Sequence, residues 1–259
     1  MIYLCAAPKE LTPARQAFSH IAHAACYIDS TGRLHASLPK TCAKEDLLLL
    51  SAEDHSSYSA SLRLCRTLKE LCLQAGLSGI AADLPSPATE EKLRFLSRLR
   101  QECASAYRLF VPEDFASHLP GTTPIICTAM SGGIFNKRLE DAVHRFPSPR
   151  PALDLQRTMM DFPIPAPGGT GTALTPIEFK ELFSSHRPAV FFSRELCAKY
   201  FTYRRNGQPH LVLFDDISTL LEKIRIGRRM GISLFFLSYP ETTDILGGLS
   251  LAANKEKTL

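Results

Sequence analysis

The chain has 259 residues, 45% of them hydrophobic and 22% charged, with 30 basic against 26 acidic side chains for a formal net charge of +4. That length and apolar content suffice for a full core and match the usual size of one (β/α)8 barrel. The charge excess is mild and spread along the chain, which argues against nucleic acid as a partner, and no apolar run approaches membrane length.

The N-terminus, Met-Ile-Tyr-Leu-Cys-Ala-Ala-Pro-Lys, lacks the basic region of a signal peptide. A cytoplasmic compartment is therefore expected. The eight cysteines include no Cys-x-x-Cys pair and read as reduced thiols packed in a core. Ile2 to Ala6 is an apolar run closed by a Pro-Lys turn, and Pro13 to Phe18 is helical, giving a first strand and helix. His20 to Ile28 is a second strand ending at the turn Asp29-Ser-Thr-Gly32. His20 and His23 have no carboxylate or cysteine at ligand spacing, so no metal site is expected. Leu47 to Ser51 is the third strand, with Ala52, Glu53, Asp54 and His55 in the loop beyond it.

An amphipathic helix from Tyr58 to Ala75 then leads into Ser78-Gly-Ile-Ala-Ala-Asp-Leu-Pro-Ser-Pro87. This is a short buried strand whose tip carries one carboxylate, Asp83, into a proline-rich turn. After a helix from Thr89 to Ala104, Tyr107 to Val111 is a fifth strand that brings Pro112, Glu113 and Asp114 to the same end of the sheet. Pro124 to Met130 is the sixth, with its helix at Asn136 to Phe146, and Ala152 to Phe162 is the seventh, carrying Asp161 near its end. The segment from Pro163 to Gly171 is too rich in turn residues for regular structure, and Gly168-Gly-Thr-Gly-Thr lacks the lysine and helix of a phosphate loop.

Thr175 to Ser184 opens with the helix signature Thr-Pro-Ile-Glu. Val190 to Phe214 reads as a hairpin around Arg205-Asn-Gly207, and Asp216 and Ser218 cap a helix from Thr219 to Met230. Lys223, Arg225, Arg228 and Arg229 on that helix read as a solvated basic face that suits its dipole. Gly231 to Leu237 is the eighth strand. The expected architecture is α/β, a single (β/α)8 TIM barrel over residues 1–240 with an extra β-hairpin between strands 7 and 8, followed by a polar tail over 241–259.

Two blocks carry a family resemblance. The run Gly76-Leu-x-Gly-Ile80 leading to Asp83 and Pro85 resembles the fourth strand of the family 18 glycoside hydrolases, the chitinase-like barrels. Tyr200-Phe-Thr-Tyr203, Leu211-Val-Leu-Phe-Asp-Asp216, Lys223 and Gly231-Ile-Ser-Leu-Phe235 resemble the last part of that family's spore-type members, which act on cell-wall glycans. The resemblance implies cleavage of N-acetylglucosamine polymers with the substrate's own acetamido oxygen as nucleophile. It also implies a glutamic acid that protonates the leaving oxygen, an aspartate that steadies the acetamido group, and a tryptophan floor on the last strand.

Laid on this chain, the family's Asp-x-x-Asp-x-Asp-x-Glu falls at Ser78, Ala81, Asp83 and Pro85, so Asp83 is the only acid retained. General acid catalysis contributes a factor of about 100 to 10,000, and a proline cannot supply it. The floor position matches Phe235, because the chain has no tryptophan. The family's Met-x-Tyr-Asp belongs on the sixth strand, which here ends Cys127-Thr-Ala-Met-Ser-Gly-Gly without an acid; Met159-Met-Asp-Phe162 is similar but falls on the seventh.

The implied protein is a degenerate member with no intact catalytic residue and no cofactor. It would be a non-catalytic binder of chitin-type or peptidoglycan-type glycan, or a spore or envelope protein. Asp83, Glu113, Asp161, Phe235 and Tyr239 are the candidate glycan contacts. Each has a plainer reading: Asp83 as a cap, Glu113 as an acid at a helix start, Phe235 as core. The alternatives are an O-glycosyl hydrolase whose acid has moved to Glu113, and a purely structural interaction protein. The oligomeric state is left open.

Overall fold

Short apolar runs, each bounded by a turn and followed by an amphipathic helix, build the architecture. The computed structural model describes residues 1–39, 42–58, 61–103, 106–166 and 169–255. The strands are β1 (Ile2–Ala6), β2 (His20–Ile28), β3 (Leu34–Ala36), β4 (Leu47–Ala52), β5 (Gly79–Asp83), β6 (Arg108–Pro112), β7 (Thr123–Cys127), β8 (Ala152–Asp154), β9 (Met159–Pro163), β10 (Thr172–Ala173), β11 (Phe191–Ser193), β12 (Ala198–Arg205), β13 (Gln208–Phe214) and β14 (Phe235–Ser238). The helices are α1 (Leu11–Ala17), α2 (Ser61–Ala75), α3 (Glu90–Cys103), α4 (Glu113–Ala116), α5 (Phe135–Arg145), α6 (Pro176–His186), α7 (Ile217–Arg229), α8 (Tyr239–Thr242) and α9 (Leu246–Lys255). Contacts divide the chain into two units, one of Met1–Ile126, Val143–Asp154 and Ile232–Pro240, the other of Cys127–Ala142, Leu155–Gly231 and Glu241–Leu259.

The first unit holds a closed parallel barrel of β1, β2, β4, β5, β6, β7, β8 and β14, in which β1 pairs with both β14 and β2. The expected (β/α)8 ring is present, and β3 adds an antiparallel strand to the edge of β2. Side chains alternate across each strand. Tyr3, Ala22, Leu47, Ala81, Phe110, Ala152 and Phe236 form the inner cluster. Within it Tyr3 stacks on Phe236 and Phe110 meets Phe236 edge-on, each pair with ring centroids 5.4 Å apart. The opposite faces, among them Leu48, Leu50, Ile80, Ala82 and Val111, pack under Leu64, Leu68, Phe95, Leu96 and Leu99 of α2 and α3. Gly79 opens β5 because a Cβ there would lie 2.4 Å from the Arg108 carbonyl oxygen.

The second unit is built on an antiparallel sheet in the order β10-β9-β13-β12-β11. The expected hairpin is β12–β13, turning at Asn206 and Gly207 with φ of 52° and 82°, the left-handed pair of a tight two-residue turn. It belongs to this larger sheet. Phe179, Leu182 and Phe183 of α6 pack on Met159, Phe201, Tyr203, Val212 and Phe214. Thr175 caps α6 through the box with Glu178 that its sequence signature announces.

Two expectations are corrected. The run from Ala152 to Phe162 is two strands: β8 lies in the barrel, while β9 pairs antiparallel with β13 and β10. The break is fixed chemically, since the buried Asp215 carboxylate accepts the Thr158 N–H at 3.0 Å and Met159 pairs with Phe214. The polar tail also contains α8 and α9, in which Leu246, Leu249 and Ala253 are buried. Their spacing of three and four residues places them on one face of α9. Gly168 of the glycine-rich run and residues 256–259 lie outside the described residues. Among the described residues no helix is long and apolar enough to cross a membrane.

Candidate functional sites

At the C-terminal end of the parallel strands, where barrels of this kind place their chemistry, Asp83 ends β5 opposite Ser51 of β4. Strand alternation sets it on the same face as Ala81, which is in the inner cluster. The residue is solvent-exposed. The protein mass around it nevertheless pushes its carboxyl above the usual carboxylate range, with no counter-charge to oppose the shift. Two residues on, Pro85 lies in a turn held from below: the buried Lys92 ammonium donates to the carbonyls of Pro85 and Pro87, and the Ser86 hydroxyl donates to Asp114 at 2.9 Å.

Glu113 opens α4 directly after β6 and is ion-paired with Arg145. That pairing and its place in the first turn of a helix both suit a negative charge. Tyr239 follows β14 as the first residue of α8 and is half-buried. Phe235 is fully buried, on the side of β14 opposite Phe236. As a glycan floor it is therefore corrected: it offers no face to a sugar, and the ring that β14 contributes to the inner cluster is Phe236.

Asp161 sits on β9 in the second unit's sheet. Its carboxylate accepts the Tyr203 hydroxyl at 2.7 Å and faces His210 Nδ1 at 3.0 Å, with Arg205 at 3.7 Å. Each of its oxygens is thus engaged by a neighbour within the sheet, and burial with its acid partner pushes the Tyr203 hydroxyl up to about 12. Lys223 is corrected as well. It is 1% exposed and pairs at 2.7 Å with Asp215, whose other partners are the Thr219 hydroxyl at 2.8 Å and the Thr158 N–H. Arg225 and Arg229 are the solvated members of that helix.

The second unit also contains a cavity of about 600 Å³ lined by Met130, Gln156, Arg157, Thr158, Met159, Met160, Phe162 and Glu241, among others. Sequence reading missed it, because Glu241 fell in the segment taken as tail and Arg157 inside a supposed strand. The Arg157 side chain is 5% exposed. Its Nε donates to the Asp215 carbonyl at 3.2 Å, and its Nη1 donates to the Glu241 carbonyl at 3.0 Å and to the Asp244 carboxylate. Burial pushes the Glu241 carboxyl upward, against the opposing pull of Arg157, whose backbone N–H donates to Glu241 Oε2 at 3.3 Å. The Thr158 Oγ1 is buried without a partner.

One group with metal-ligating side chains occurs among the described residues: His23, Cys42 and Asp46. Asp46 is already saturated, accepting the Ile21 and Ala43 N–H groups at 3.0 Å each, the Arg15 guanidinium, and His23 Nε2 at 3.0 Å. Burial alone would raise its pKa, but these bonds win and hold the carboxyl well below the usual range. A cluster that contains its own guanidinium is a poor cation site. All eight cysteines are free thiols; burial lifts those of Cys26, Cys65 and Cys72 to about 12, which makes them inert packing groups.

No family profile and no curated protein sequence matches this chain. Solved structures do. The spore cortex-lytic enzyme SleL of Bacillus megaterium superposes with a TM-score of 0.68 at 16% identity, covering 98% of this chain and 73% of that one. A chitinase of Chromobacterium violaceum gives 0.66 at 14% identity, covering 97% and 99%. A family 18 chitinase of Cycas revoluta in complex with (GlcNAc)3 gives 0.65 at 12% identity, covering 96% and 98%. The chain thus has the fold of the family 18 glycoside hydrolases, as its two sequence blocks imply.

Proposed function

We propose that this chain is a non-catalytic binder of N-acetylglucosamine-containing glycan, of chitin or peptidoglycan type, built on a family-18-like barrel. The observation that carries the reading is the tip of β5. Asp83 is the only carboxylate left at the four motif positions, and Pro85 stands where a proton donor is required. Ala81, buried in the inner cluster, supplies no second carboxyl to share or raise a proton. Asp83 and Tyr239 are the glycan contacts retained from the sequence reading, and association with a spore or cell envelope follows from the chemistry of the glycan. The structural neighbours support the ligand class: one is a cortex-lytic enzyme and another holds (GlcNAc)3.

The test is equilibrium binding of chitotriose and of soluble peptidoglycan fragments to the full chain, with product analysis of the same samples. Saturable binding with intact ligand is expected. Absence of binding to both ligands at millimolar concentration overturns the reading in favour of a purely structural protein.

A second reading, an O-glycosyl hydrolase with a relocated acid, is favoured by one observation. Glu241, rather than the ion-paired Glu113, is the carboxyl that lines a cavity and has burial favouring its neutral form. Turnover of an N-acetylglucosaminide that disappears in Glu241→Gln would establish it.

A further inference from the structure

We infer that β11 is a dimerisation edge: two copies of this chain join by antiparallel pairing of their β11 strands about a two-fold axis at Phe191, with Arg187 of each copy set toward Glu195 of the other.

A strand at the end of a sheet leaves one row of N–H and C=O groups without a ladder, and proteins commonly blunt such an edge with lysine, proline or a bulge. The five-stranded sheet ends at β11, which pairs with β12 on one side. Beyond that pairing, residues 188–193 make no backbone hydrogen bond among the described residues. The strand is Phe-Phe-Ser with a regular register, so it carries none of the blunting devices. Val190, Phe191 and Phe192 are 39%, 52% and 48% exposed. Consecutive side chains of a strand point to opposite faces, so both faces of this edge are apolar and open. The opposite edge, β10, offers Thr172 and Ala173 instead.

The charges around the strand select a second copy as its occupant. Two antiparallel copies of one strand are related by a two-fold axis perpendicular to the sheet, so residues equally spaced before and after the central residue face one another. Centred on Phe191, this sets Arg187 toward Glu195 once for each copy. Both side chains are exposed, and neither forms an ion pair among the described residues. Their backbones are anchored. Arg187 caps α6 by donating its N–H to the Phe183 carbonyl at 2.9 Å, and the Glu195 carbonyl accepts the Phe135 N–H at 2.7 Å. Centring on Phe192 would set Arg194 opposite Val190 and match no charges, and centring on Val190 would set Arg194 toward His186. The Phe191 register also extends a stack already present. The rings of Phe191 and Tyr200 lie 5.6 Å apart, so the two copies build one row of Tyr200, Phe191 and their counterparts across the axis. Because the same edge serves both copies, the assembly closes as a dimer.

Sedimentation equilibrium of the full chain over roughly 10–300 μM is the experiment, and a reversible monomer–dimer equilibrium is expected. Phe191→Lys opposes two ammonium groups at the axis and should weaken the dimer by about tenfold or more. Circular dichroism spectra matching the parent's show that each variant folds. Arg187→Glu and Glu195→Arg should each weaken association, and the double variant, which exchanges the two charges, should restore it. Monomer throughout the range overturns the inference; monomer that sediments with phosphatidylglycerol vesicles assigns the exposed aromatics to an anionic lipid surface instead. A dimer indifferent to Phe191→Lys overturns it too, because association then uses another face. Weakening by Phe191→Lys without recovery in the charge-exchanged variant overturns the register.

Discussion

Replacing Lys223 with methionine removes one partner of an ion pair whose side chains are 1% and 0% exposed. Methionine fills much of the same volume, so the loss is electrostatic rather than a cavity. Breaking a buried pair by deleting one member costs about 3–5 kcal/mol, because the remaining charge is stranded in a medium that solvates it poorly. Asp215 would keep the Thr219 hydroxyl at 2.8 Å and the Thr158 N–H at 3.0 Å. Those two bonds place the expected loss at the lower end, about 3 kcal/mol. For a chain of this size each kcal/mol moves the melting temperature by about 2–4 °C, so a fall of roughly 6–12 °C is expected. Thermal melts followed by circular dichroism, with urea unfolding for the free energy, give the measurement. Adding Asp215→Asn to the methionine variant should recover part of the loss, since the stranded charge is then removed. A loss under about 1 kcal/mol for the single variant would refute the buried-pair account and return Lys223 to the solvated face.

Three further substitutions have expected outcomes with defined signs. Asp46 is held below its ordinary pKa, so it contributes stability above the usual carboxylate range that is lost as pH falls; Asp46→Asn should be least stable relative to the parent near pH 7, with the gap closing below about pH 4. A gap of equal size at pH 3 would show that packing, not charge, is what the substitution removes. Asp83 is shifted the other way, so its ionised form opposes folding, and Asp83→Asn should raise the melting temperature at pH 7 with the gain fading in acid. Destabilisation at pH 7 would mean that Asp83 has a partner in the folded protein and is a structural cap. Thr158→Val removes a buried hydroxyl that has no partner, and should stabilise the unliganded chain by about 1 kcal/mol in urea unfolding; a comparable loss would contradict the unpaired state.

The barrel was legible because its strands are short apolar runs closed by turns and separated by amphipathic helices. β5 announced itself through Gly79, where no Cβ fits, and the β12–β13 hairpin through Asn206-Gly207. What failed did so for identifiable reasons. The stretch from Ala152 to Phe162 is apolar at both ends, and apolar character alone does not say which sheet a residue joins; the buried Asp215 makes that decision from a distance in sequence. Lys223 sits among three arginines on one helix, so composition assigned it to solvent, while its spacing from Asp215 was visible only once β13 led straight into α7. The stripe of Leu246, Leu249 and Ala253 was hidden in a polar segment, and taking that segment for a tail removed Glu241 from consideration. Phe235 and Phe236 are adjacent, and a one-residue choice sends the aromatic to opposite faces of β14.

The account depends most on Pro85. Reducing-end release from chitotriose and from peptidoglycan fragments should be measured for the parent chain and for a variant combining Pro85→Glu with Ala81→Asp, which restores the proton donor and its neighbouring carboxyl at the tip of β5. No turnover by the parent and detectable turnover by the variant is the result expected. Hydrolysis by the parent itself would contradict the claim that the barrel has lost its acid.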